Sequence, residues 1–84
     1  MSNKELLETE LEVQYELMLG EGKSVQEAVF DAIHKATDKE LNAEELDVFE
    51  DYDETGAFQD FIDWVLKKID EFIEWLKDWW NEED

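Results

Sequence analysis

The chain has 84 residues, enough for one small domain that buries about 60–65% of its unfolded surface. Twenty-six residues are Asp or Glu, seven are Lys and none is Arg, so the formal charge is −19; this excludes direct DNA or RNA binding, which matches cations to phosphates. Cys is absent, which excludes disulfides and thiolate chemistry, and 43% apolar with 13% aromatic residues excludes an acidic disordered segment.

The first five residues, Met-Ser-Asn-Lys-Glu, lack the apolar run of a signal peptide. No stretch approaches the roughly 18 apolar residues of a membrane span. The expected compartment is the cytoplasm, or the host cytoplasm for a viral protein. The first predicted helix covers about residues 3–19. Leu7, Leu11, Tyr15 and Met18 recur on one side with Leu6, Val13 and Leu17 alongside, and Glu5, Glu8, Glu12 and Glu16 recur on the other. Leu11, Val13, Tyr15 and Leu17 also alternate, so a strand competes there. Gly20-Glu21-Gly22-Lys23 ends the element. Ser24 and Glu27 then have capping-box spacing and open a second helix over about residues 25–39, with an apolar stripe of Val25, Val29, Ala32, Ile33 and Ala36.

Asn42, followed by acids in the next turn, marks the start of a short third helix over about residues 43–49, anchored by Leu46 and Phe49. Residues 50–56 read as an acidic loop. The last segment, about residues 57–80, places Phe58, Phe61, Ile62, Val65, Ile69, Phe72, Ile73, Leu76, Trp79 and Trp80 at helical spacing. It predicts one long amphipathic helix of about 36 Å, with Trp64 and Trp75 off its main stripe. Residues 81–84 read as a frayed tail. The expected fold is a single all-α domain, a small bundle of about four helices.

Acids three or four positions apart on a helix stand roughly 5–6 Å from one another, near the spacing of successive phosphates along a nucleic-acid strand. Glu5, Glu8, Glu12 and Glu16 make one such row, and Asp60, Asp63, Asp70, Glu71, Glu74 and Asp78 make another. Glu44, Glu45, Asp47, Glu50, Asp51, Asp53 and Glu54 form a dense patch between them. Retaining this much like charge costs stability through self-repulsion. The leading expectation is therefore a basic protein partner whose nucleic-acid cleft these carboxylates fill, making the chain an inhibitory nucleic-acid mimic. A plain solubilising surface, as in proteins of salt-rich habitats, is the bland alternative. An acidic helical adaptor for a basic protein, without mimicry, is a further one.

Asp51, Asp53, Thr55 and Gly56 follow the opening of an EF-hand loop. The twelfth position, where a bidentate Glu belongs, is Ile62, so a degenerate calcium module is only a weak candidate and no metal or cofactor is expected. His34, the single histidine, has no Cys or second His for zinc and no nucleophile partner. An enzyme is the least supported class. The Trp- and Phe-rich stripe of the last segment is expected to be core, with homodimerisation along it and partner anchoring left open. Its acidic polar face argues against membrane-surface binding.

Residues 30–38, Phe-Asp-Ala-Ile-His-Lys-Ala-Thr-Asp, resemble a short segment of the Ocr and ArdA antirestriction proteins. In that family an Ile-His pair lies in a helix and is followed by a small residue and an Asp. The resemblance implies an acidic, helix-rich, dimeric mimic of duplex DNA that blocks restriction enzymes. Phage inhibitors of CRISPR effectors and of uracil-DNA glycosylase also tend to be small and acidic, so these targets stay open beside restriction enzymes.

Overall fold

Ser2 starts the first helix from both sides of a capping box. Its Oγ accepts a hydrogen bond from Glu5 N at 3.0 Å, and its own N–H donates to Glu5 Oε1 at 3.0 Å. Two of the amides that a helix start leaves unpaired are thereby satisfied. The computed structural model describes residues 2–52 and 57–82. Helix α1 spans Asn3–Glu21 and stops at Gly22, whose φ of 71° is the left-handed conformation that glycine adopts without strain. The alternation of residues 11–17 therefore sits within a helix. Three-and-four spacing buries Leu7, Leu11, Gln14 and Met18 on one face, whereas a strand would have buried every second residue.

Helix α2, Val25–Thr37, opens on Ser24, whose Oγ accepts from Glu27 N at 3.1 Å. It ends two residues short of the predicted boundary. Asp38 takes a left-handed φ of 64°, a conformation Asp tolerates, and donates its N–H to His34 O. Helix α3, Ala43–Asp47, is capped reciprocally by Asn42 and Glu45. It runs into turn residues that carry Phe49 into the core.

The long last helix is not continuous, and this corrects the sequence reading. Helix α4 spans Phe58–Phe72 and helix α5 spans Glu74–Asn81. Between them Ile73 has φ −124° and ψ 80°, outside the helical region. A straight helix of about 36 Å would outrun a molecule measuring 34 × 28 × 20 Å. The break turns α5 back onto α1, and Ile73 and Leu76 are both buried as a result. Phe72, expected in the core, is instead 59% exposed at the end of α4. Trp64 and Trp75, placed off the stripe, pack against the core. Trp64 lies 5.9 Å from Phe49 and 4.9 Å from Tyr52, ring centre to ring centre.

Among the described residues there are five helices and no strand. Helix α1 packs on α2, α4 and α5, and α2 also meets α3. The core joins Leu7, Leu11 and Met18 to Ala28, Val29, Ala32 and Ile33, with Phe61, Ile62, Val65 and Ile69 closing the far side.

Candidate acidic interface

The lysines decide how negative the surface remains. Lys23 Nζ contacts Gln14 Oε1 and Asp31 Oδ2, each at 2.5 Å. Lys77 Nζ reaches Asp70 Oδ1 at 3.4 Å. Three more lysines lie over aromatic rings: Lys4 over Trp80 at 5.7 Å, Lys39 over Trp75 at 5.4 Å and Lys68 over Phe72 at 5.5 Å. Only Asp31 and Asp70 are ion-paired among the described acids. The excess negative charge is therefore left to solvent, not neutralised within the fold.

The α1 row is assembled as its spacing predicts. Glu5, Glu12 and Glu16 are exposed, and Glu8 is half-buried. Glu5 serves twice, because its carboxylate also closes the cap. The Ser2 backbone N–H holds its pKa below the ordinary 4.5, with the Ser2 hydroxyl adding to the effect. Lys4 is positioned in sequence to pair with Glu8, one turn along, but lies over Trp80 instead. Glu8 and Glu12 consequently have no cationic partner among the described residues.

This row forms one wall of a groove of about 320 Å³ between α1 and α4. Glu5, Glu8, Thr9 and Glu12 line it from α1, and Phe58, Gln59 and Ile62 line it from α4. Phe58 is half-buried and its ring packs edge-on to Tyr15, with centroids 5.4 Å apart at 63°. Sequence reasoning missed this floor. Phe58 and Ile62 read simply as stripe residues, and nothing local to them signals that α1 lies alongside.

The second row is less uniform. Asp60 Oδ2 accepts from Ala57 N at 3.3 Å and caps α4, while Asp63 Oδ1 accepts from Gln59 Nε2 at 2.9 Å. Asp70 is held by Lys77. Glu71, Glu74 and Asp78 are exposed, but the break at Ile73 divides the row between two helix directions. In the central patch Glu44, Asp47, Glu50 and Asp51 are exposed. Glu45 has a structural role: Oε1 accepts from Asn42 N at 2.9 Å and Oε2 from Trp75 Nε1 at 2.6 Å. Asp53 and Glu54 lie outside the described residues.

Asp53 and Thr55 of the EF-hand-like run also lie outside the described residues. Ile62, at that motif's twelfth position, is a core side chain only 2% exposed. His34 stacks on Phe30, with ring centres 6.4 Å apart at 23°. The segment carrying the antirestriction resemblance occupies most of α2, where Ala32 and Ile33 are fully buried. No family model, curated protein or solved structure matches this chain. No helix among the described residues is long and apolar enough to cross a membrane.

Proposed function

We propose that the protein is a nucleic-acid mimic that inhibits a DNA- or RNA-binding enzyme by occupying its basic cleft. One observation carries the reading: a chain of charge −19 ion-pairs only two carboxylates among its described residues and keeps five of its seven lysines on acids or aromatic faces. Size agrees with the idea. One turn of duplex, about 34 Å long, carries about 20 phosphate charges. The molecule's longest dimension is 34 Å. Helical anchoring of the acids also supports the reading, because groups fixed before binding lose little ordering entropy on association.

The α1 row and the exposed acids after α3 are the surfaces assigned to phosphate replacement. Glu45 is better described as a strut than as a contact, since both its carboxylate oxygens are already hydrogen-bonded. Restriction enzymes, CRISPR effectors and uracil-DNA glycosylases are the first classes to examine. The monomer is the binding unit in this reading. Two copies would add their self-repulsion, and the apolar side chains of α4 and α5, apart from Phe72, pack within the chain.

The test is competition. A basic enzyme captured by the immobilised protein at low salt should be released by duplex or single-stranded DNA, and its own nucleic-acid binding should fall as the protein is added. An enzyme that binds DNA unimpeded while held would overturn mimicry and leave an acidic adaptor.

A further inference from the structure

The groove between α1 and α4 combines an acidic wall with an aromatic floor. Its wall is a helical row, Glu5, Glu8 and Glu12, and its floor is a half-buried aromatic ring, Phe58, beside Ile62. Tyr15 braces the Phe58 ring from the side. The chain's own cations are kept away: Lys4, next to the row, lies over Trp80, and Lys23 is bound to Gln14 and Asp31.

We propose that this groove receives an arginine side chain from a basic segment of the partner protein, with the guanidinium bridging Glu8 and Glu12 and its planar face on Phe58. The proposal rests on the reading that the partner is basic, and it names the contact. Arginine fits better than lysine on three counts. Its fork bonds carboxylates through two parallel N–H groups, its plane stacks on aromatic faces, and it is less strongly hydrated than an ammonium. A cation over a ring is attracted by the ring's negative face, and more strongly the better it is desolvated. The volume of about 320 Å³ lies at the lower end of ligand clefts. It suits one long side chain and its neighbours, whereas a helix about 10–12 Å across would not enter.

The probes are two peptides of equal length and charge, octa-arginine and octa-lysine, titrated into the isotope-labelled protein at about 0.15 M salt, where the Debye length is about 8 Å. The arginine peptide should bind about fivefold or more tighter, with amide shifts concentrated at residues 5–12 and 58–62. The double variant E8Q/E12Q should weaken it about tenfold, as expected for losing close charge contacts. The control E21Q/E40Q removes the same charge from exposed positions away from the groove and should weaken it less than about twofold. Phe58→Leu should bring the two peptides to similar affinity. Equal losses in the two double variants, or shifts spread evenly over the surface, would overturn the groove while leaving a basic partner in place. Failure of both peptides to bind would overturn the basic-partner reading as well.

Discussion

Phe61 and Phe72 lie on the same predicted stripe, and the fold treats them oppositely. Phe61 is fully buried against Tyr15 and Tyr52, whereas Phe72 is mostly exposed beneath Lys68. Phe61→Ala should therefore cost about 3–5 kcal/mol, the usual loss for a core ring. Phe72→Ala should stay within about 0.5 kcal/mol, as for surface changes. Urea denaturation of both variants checks the pair, and a large loss at Phe72 would mean that α4 and α5 are one straight helix. Lys23 offers a second test. Gln14 is 1% exposed, and its side-chain oxygen is met by Lys23 Nζ, which also holds Asp31 on α2. Lys23→Met leaves that buried oxygen without its donor and should cost about 1–3 kcal/mol. Neither Gln14 nor Lys23 is legible as a buried pair in the sequence. A lone Gln on a helix and a Lys after a glycine read as surface residues, and only the return of α2 along α1 brings them together.

Local chemistry wrote most of the helix boundaries. Ser24, Asn42 and Gly22 sit where capping and left-handed geometry require them, and each was readable from residue type and spacing. The break at Ile73 was not readable, because no Gly or Pro marks it and the apolar periodicity continues through it. Tertiary contacts decide it. Trp75 Nε1 binds Glu45, Asn3 Nδ2 donates to Trp79 O at 2.8 Å, and Lys4 covers Trp80, so α5 is pinned from α1 and α3. Glu45→Ala keeps the Asn42 cap on its own backbone N–H but removes the carboxylate half of the α3 capping box and the tie to Trp75 together, and should cost about 1–2 kcal/mol, with a change in tryptophan emission that a cap mutation alone would not give. The start of α1 has its own pH dependence. Glu5 has a folded pKa below its ordinary 4.5, so its capping contribution is fully present above about pH 4.5 and is lost as pH falls through the lowered value. Amides of the first turn should then exchange faster relative to mid-helix amides. Relative protection that stays unchanged across the whole acid titration of the folded protein's carboxylates would contradict the cap.

At the scale of the molecule, charge and core oppose each other. The α1 row was legible because helical spacing fixes which acids share a face. The groove beside it was not, because its floor comes from a helix about fifty residues further along the chain. Self-repulsion among unpaired carboxylates should make stability depend on salt. Raising ionic strength from about 0.01 M to 1 M shortens the Debye length from about 30 Å to 3 Å. The melting temperature should rise by about 5 °C or more, which corresponds to roughly 1 kcal/mol for a domain this size. A flat response would mean that the acids are neutralised within the fold.

The most direct test asks whether a fixed carboxylate array, and not charge alone, competes with nucleic acid. A labelled duplex bound to the captured enzyme is titrated with the folded protein and, separately, with a scrambled unfolded chain of identical composition. The folded protein should displace the duplex one for one, and the scrambled chain should need at least about tenfold more, since it must order itself on binding. Equal displacement by the two chains, or a complex that holds protein and duplex together, would contradict the account.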